Sequence, residues 1–260
     1  IMPWNFPFWQ VFRLSAPAMM AGNGVVLKHA PNVPQCAAAL VEIFERAGVP
    51  EGVFSSVMIT EEQTEALIAD ERIAAVSLTG SERAGHSVAA IAGAHLKKAV
   101  LELGGSDAFI VLADADVKRA AKVGVAARML NTGQSCIAAK RFLVQDLVAQ
   151  AFQQALLTEV AALRLGDPLA VDTDVGPMAR ADLREHVHQQ VTAFVEHGAT
   201  CLIGGRLPTG PGFFYPPTVL TDVRPGSAVW DEEVFGPVVV LSTFSEVEEA
   251  IALANDTPFG

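Results

Sequence analysis

Apolar positions along the chain fall into two alternating patterns, short β-branched runs and longer segments of helical period. Val25-Val-Leu-Lys28 reads as a strand, 34–47 as an amphipathic helix, 54–59 as a strand and 61–69 as a short helix. The alternation continues with a strand at 73–78, a helix at 81–93, strands at 99–101 and 109–112, and a helix at 117–130. Strands and helices in this order imply a parallel sheet with crossover connections, so the expected fold class is α/β. Asp116 and Thr60 stand where helix N-caps belong, and Gly48-Val-Pro50 supplies the glycine and proline of a helix end. The opening residues, Ile-Met-Pro-Trp-Asn-Phe-Pro, read as packed strand and loop.

Glycine and proline then punctuate the chain. The run from Gly166-Asp-Pro168 to Gly176-Pro177 separates helices predicted at 148–164 and 182–198, and a second run covers 204–212. A strand at 238–241 and a Glu-rich helix at 245–255 close the pattern. One βαβ series ends at the pair Gly104-Gly105, so the expected domains are 1–105 and 106–260.

Length and composition fit this picture. A chain of 260 residues makes one large or two modest domains, and 51% hydrophobic with 18% charged residues is globular and not disordered. A net charge of −11 offers no basic surface for a phosphate backbone, which excludes nucleic acid as the expected partner. The uncharged stretches 1–12 and 14–27 are broken by Pro, Gly, Asn and Gln, so no membrane span is expected. No secretory signal is read at the start, and a cytoplasmic location is the expectation. Three widely separated cysteines form no CxxC pair, and the histidines lack ligand spacing, so neither a disulfide framework nor a metal is expected.

Cys36 and Cys201 sit in apolar runs and read as small core residues, whereas Cys136 lies in the polar, flexible Asn131-Thr-Gly-Gln-Ser-Cys136 and is the nucleophile candidate. Glu102 ends an apolar strand in Ala99-Val-Leu-Glu-Leu-Gly-Gly105. Partial desolvation there would raise its pKa and suit a general base; the alternative is a strand-end Glu facing solvent. Asn5, between Pro3 and Pro7, is either a rigid amide donor for an oxyanion or a turn residue. Arg13 is a snorkelling surface residue or a cation awaiting an anion. Gly80-Ser81 joins a strand to a helix N-terminus suited to a pyrophosphate, without the spacing of GxGxxG. His186 and His188 read as a solvated helix face.

Taken in order, Pro3-Trp-Asn-Phe-Pro7, Leu78-Thr-Gly-Ser81, Leu101-Glu-Leu-Gly-Gly105, Asn131-Thr-Gly-Gln-Ser-Cys136 and Glu232-Glu-Val-Phe-Gly-Pro237 resemble the aldehyde dehydrogenase superfamily along the whole chain. The resemblance implies a Rossmann-like dinucleotide-binding domain and an α/β catalytic domain, both incomplete in this chain, in a subunit that forms homodimers or homotetramers. A chain with such ends is expected to be poorly soluble alone. The resemblance further implies that Cys136 attacks an aldehyde, that Asn5 and the Cys136 amide hold the oxyanion, and that Glu102 activates the hydrolytic water. Trp4, Lys28, Gly80, Ser81, Leu103, Glu233 and Phe235 would contact NAD or NADP, with no metal. Where NAD-preferring relatives carry a Glu three residues after the Lys28 position, this chain has Pro31; Lys28 and His29 could supply positive charge, so both cofactors are expected to serve.

Among members of the superfamily the chain looks most like bacterial succinate-semialdehyde dehydrogenases. Arg13 would pair with the distal carboxylate, while Leu130 stands where many such enzymes place a second substrate Arg, with Arg128 two residues earlier. The alternatives are a CoA-acylating semialdehyde dehydrogenase, against which Glu102 argues, and a noncatalytic or truncated relative.

Overall fold

The computed structural model describes residues 1–223 and 230–259; Gly260, where the second predicted domain ends, lies outside the described residues. The chain divides into two compact α/β units, Ile1–Gly104 and Gly105–Gly260. Among the described residues no helix is long and apolar enough to cross a membrane. Nor does any group of three or more His, Cys, Asp or Glu stand where it could hold a metal ion.

The first unit runs α1 (Trp9–Met20), β1 (Val25–Lys28), α2 (Pro34–Arg46), β2 (Phe54–Val57), α3 (Thr64–Ala69), β3 (Ala75–Thr79), α4 (Glu82–Ala94) and β4 (Lys98–Glu102). β1 pairs with β2, and β3 with β4, both in parallel. Residues 1–2 lie between the two pairs. The Ile1 nitrogen donates to the Ser77 carbonyl at 2.8 Å, and the Thr79 amide donates to the Ile1 carbonyl at 3.1 Å, which is the parallel pattern. On the other side Met2 forms a parallel bridge with His29. The carboxyl ends of β1, of the 1–2 segment, of β3 and of β4 therefore share one edge.

Helix ends follow their local chemistry. Gly48 takes φ 82° after α2, where its amide donates to Glu45 and that of Val49 to Phe44, a Schellman closure that needs a left-handed residue. The expected cap at Thr60 is corrected: α3 begins at Thr64, and the Thr60 amide instead donates to the Gln63 side chain at 3.0 Å. The strand and loop expected at the start are present, residues 1–2 pairing in parallel and 3–8 bending away, and they lead into a helix that the sequence pattern did not predict, α1. That helix carries Pro17 within it and no side-chain N-cap.

The second unit comprises β5 (Ala108–Val111), α5 (Val117–Met129), β6 (Arg141–Gln145), α6 (Asp146–Ala161), α7 (Ala181–Glu196), β7 (Thr200–Ile203), β8 (Thr218–Thr221), β9 (Val238–Phe244) and α8 (Val247–Asn255). Its sheet order is β5-β6-β9-β8-β7, parallel except for β7 against β8. Successive residues of the central strands point into two different clusters: Phe142, Val144, Val219, Val239 and Leu241 into one, Leu143, Leu220, Val238 and Val240 into the other. Helices thus cover both faces, as a parallel sheet requires. Asp116 does cap α5, accepting the Arg119 amide at 3.1 Å. Arg141 gathers the end of α8, donating to the carbonyls of Leu253 at 2.7 Å and Ala254 at 2.8 Å while its guanidinium lies over Trp230. The core reading of Cys201 is corrected, because β7 is an edge strand and leaves that residue exposed. Cys36 is half-buried on α2.

Candidate active site

The shared carboxyl edge of the first unit collects most of the residues singled out in sequence. Lys28 ends β1, Trp4 and Asn5 follow the 1–2 segment, Gly80 and Ser81 follow β3, and Glu102 and Leu103 close β4. A crevice outside the carboxyl ends of parallel strands is where such sheets bind dinucleotides. Ser81 caps α4 by accepting the Ala84 amide at 3.3 Å, so the start of that helix presents backbone N–H groups at the same edge. α4 sits close to the strand end because Gly85 lacks a Cβ, which would meet Leu103 Cδ2 at 2.7 Å.

Two expectations about charge at this edge are corrected. His29 supplies none: Nδ1 accepts the Ala30 amide at 2.9 Å, so the proton sits on Nε2, which faces the Pro7 carbonyl at 2.9 Å. Burial also holds this imidazole below its ordinary range, and the ring is neutral. Glu102 is not desolvated. All five residues of β4 are exposed, and its carboxylate meets Arg13 Nη2 at 2.9 Å, each side chain about half exposed at 47% and 49%. The carboxylate and the cation that sequence singled out for different tasks are each other's partners.

In the second unit the chain leaves α5 through a turn with Asn131 at φ 53°, Thr132 at φ 57° and Gly133 at φ 71°. Three left-handed residues in succession, one of them β-branched, hold only if the surroundings determine them. Asn131 and Gln134 exchange side-chain to backbone hydrogen bonds, Thr132 Oγ1 donates to the Gly176 carbonyl at 3.2 Å, and Gln134 Oε1 accepts the Ala179 amide at 3.0 Å. Gly133 is obligatory twice over, since a Cβ there would lie 2.2 Å from the Gly236 carbonyl oxygen. That approach joins the Asn131-to-Cys136 segment to the Glu232-to-Pro237 segment.

Two buried cations fasten the same junction. Arg128, fully buried, donates to the carbonyls of Val238, Gly133 and Val234 at 2.5, 3.2 and 2.7 Å. All its donor edges face backbone, which makes it a brace and not a substrate residue. Lys140 Nζ donates to the Cys136 carbonyl at 2.7 Å and makes an ion contact with Glu233 Oε1 at 3.1 Å. Burial pushes the Glu233 carboxyl up and the Lys140 ammonium down, and each is opposed by the other's charge. Cys136 itself is half-buried. A cavity of about 640 Å³ opens beside Asn131, Thr132, Met178 and Phe213; neither Cys136 nor Glu233 lines it.

Along its whole length, residues 1–260, the chain matches the family described as the aldehyde dehydrogenase family. The chain belongs to that family. It is similar to a protein of Synechocystis named probable succinate-semialdehyde dehydrogenase, NADP(+), with 56% identity over all of this chain and 57% of the relative. It is also 50% identical to the succinate semialdehyde dehydrogenase, NAD(P)+, Sad of Escherichia coli K12, covering 56% of it. Among solved structures, the succinic semialdehyde dehydrogenase of Streptococcus pyogenes in complex with NADP+ superposes at a TM-score of 0.97 and 39% identity, again over all of this chain and 57% of that one. The chain thus spans a little over half the length of the relatives it matches. As an aldehyde dehydrogenase family member it has the fold expected from the resemblance. Lys140 went unremarked in sequence, where it stands in Ala138-Ala-Lys-Arg141. A Lys-Arg pair running directly into an apolar strand was the available signal.

Proposed function

We propose that the chain carries the dinucleotide-binding and thiol-bearing parts of an NAD(P)-dependent aldehyde dehydrogenase acting on succinate semialdehyde. The observation that carries this reading is the junction at Gly133, which ties the Cys136 segment to the Glu233 segment within one unit. In the proposed reaction the Cys136 thiolate bonds to the aldehyde carbon. The carbonyl oxygen becomes an oxyanion held by the Asn5 side-chain amide and the Cys136 N–H. A nicotinamide held by these residues would supply the hydride acceptor. Loss of hydride from the carbon leaves a thioester on Cys136, and water deprotonated with the help of Glu102 cleaves it to the carboxylic acid and the thiol. Trp4, Lys28, Gly80, Ser81 and Leu103 are assigned to cofactor binding in the first unit, and Glu233 and Phe235 in the second. The proposal includes a cytoplasmic homodimer or homotetramer and no metal.

The names of the relatives support NADP as well as NAD. With Pro31 in place of a ribose-binding carboxylate, nothing at that position repels a 2′-phosphate. We expect steady-state kinetics to show both cofactors accepted. A preference for NAD above about a thousandfold in kcat/KM, roughly 4 kcal/mol, would contradict that assignment.

Arg13 is assigned to the distal carboxylate of the substrate. Its pairing with Glu102 does not oppose this, because an ion pair so exposed holds by only about 0–1 kcal/mol and an arriving carboxylate can take its place. The test compares the native protein with Arg13→Ala on succinate semialdehyde and on butanal. We expect kcat/KM for the charged aldehyde to fall by about 100-fold, several-fold more than for butanal, as loss of a charge-assisted contact predicts. Equal losses would remove the carboxylate assignment, and product found as an acyl-CoA thioester would move the reading to the CoA-acylating class.

A further inference from the structure

Lys140 stands one residue before β6, with its amide donating to the Asp107 carbonyl at 3.0 Å, so the base of its side chain is fixed to the sheet. The ammonium is buried, with 2% of the side chain exposed, and its two contacts lie on different segments: the Cys136 carbonyl at 2.7 Å and Glu233 Oε1 at 3.1 Å. We propose that Lys140 is a positioning residue with two ends, one fixing the peptide that follows the nucleophile, the other keeping the Glu233 carboxylate ionised as an acceptor for the ribose hydroxyls of the cofactor. The inference rests on the roles proposed above for Cys136 and Glu233.

The surroundings of the carboxylate leave this task to Lys140. Arg128 attracts Glu233 at longer range, but its donors are committed to the carbonyls of Gly133, Val234 and Val238. The Gly105 amide faces the carboxylate as a neutral dipole. Neighbouring Glu232 turns away, accepting Gln190 Nε2 at 2.8 Å, and Asp107 supports the charge of Lys140. At the other end, a hydrogen bond to the Cys136 carbonyl restricts ψ of that residue and hence the direction of its Cα–Cβ bond. A buried ammonium that lost either partner would be destabilised, so the two ends maintain each other.

The sign of the pH effect follows from burial. Glu233 is pushed up by desolvation and brought back by Lys140; without the ammonium it takes a proton at higher pH and ceases to be an anionic acceptor. In the intact native protein, calorimetric titration with NADP should give an affinity nearly flat between about pH 6 and 8.5. In Lys140→Met the affinity should fall as pH falls, by up to about tenfold per unit, the limit for one linked proton. Alkylation of Cys136 by iodoacetamide, followed on its own peptide, should change at least about fivefold, and kcat should drop by up to about 100-fold as a misplaced reacting group allows.

Lys140→Arg should restore the flat profile. Lys140→Gln, which keeps a donor but no charge, should retain the pH slope with alkylation near the native rate, and it serves where the Met variant fails to fold. A purely structural lysine would lower the melting temperature without a pH slope in binding. Flat NADP affinity and native alkylation in both neutral variants would overturn the inference. A native protein that binds no NAD(P) would overturn the proposed function and the Glu233 end with it, while the alkylation comparison would still decide the Cys136 end.

Discussion

Replacing Cys136 by alanine is expected to lower NAD(P)-linked oxidation of succinate semialdehyde by at least about four orders of magnitude, the scale seen when a covalent nucleophile is removed. The fold should survive. The thiol is half-buried and the contact that fastens the loop, from Lys140, goes to the backbone carbonyl that alanine retains. Stability should therefore stay within about 1 kcal/mol of the native value, as for substitutions that leave no cavity or orphaned polar group. Labelling provides an internal control, because Cys201 is an exposed residue whose partly shielded sulfur is pushed up by desolvation, which slows but does not prevent its reaction. Inactivation by iodoacetamide should follow modification of the Cys136 peptide and be indifferent to that of Cys201. Near-native turnover in Cys136→Ala would transfer the chemistry elsewhere.

What the amino-acid pattern conveyed, and what it did not, divides along a physical line. Alternating periodicity is local, and it located β1 and β3 to within a few residues, as it did α2, α4 and α5, helices that each carry their own cap, such as Asp116, or their own closure, such as Gly48. α1 escaped because Pro17 and the missing cap hide its period, and β8 because Pro216-Pro217 directly precedes a strand that is buried on both faces and so does not alternate. β6, which reads Arg-Phe-Leu-Val-Gln, escaped for the same lack of alternation. Neighbours across a sheet are not local at all. Thr-Cys-Leu-Ile looks equally apolar at the edge and in the centre, and only the strand order shows Cys201 to be exposed.

The candidate site follows the same division. Cys136 and Glu233 stand out in short motifs, yet the group that touches both, Lys140, has no motif of its own and finds Glu233 only through β6 and β9. Glu102 shows the converse. Its apolar flanks suggest desolvation, but among the described residues β4 pairs with β3 alone, and Arg13 occupies the carboxylate.

Arg128 is where tertiary structure concentrates the largest stability effect. No part of this arginine is exposed, and desolvation holds its guanidinium below the ordinary range, to about 9, with Glu233 opposing that shift. The side chain persists there because its planar fork meets three carbonyls at once, of Gly133, Val234 and Val238. Arg128→Met preserves most of the volume and removes every donor, leaving those acceptors inside the protein without partners. The expected loss is about 3–5 kcal/mol, less than the sum of three separate deletions because some carbonyls will reach water. In a protein of this size that lowers the melting temperature by roughly 6–20 °C. Lysine should rescue little, since one ammonium cannot span carbonyls from two segments and a strand. Because the lost bonds join the Gly133 and Val234 segments, kcat at a temperature where the variant is still folded should also fall, by about tenfold or more, through misplacement of Cys136. Stability within about 1 kcal/mol of native, measured by denaturant titration, would mean that the three carbonyls are satisfied some other way and that the left-handed turn at Asn131 holds without this brace.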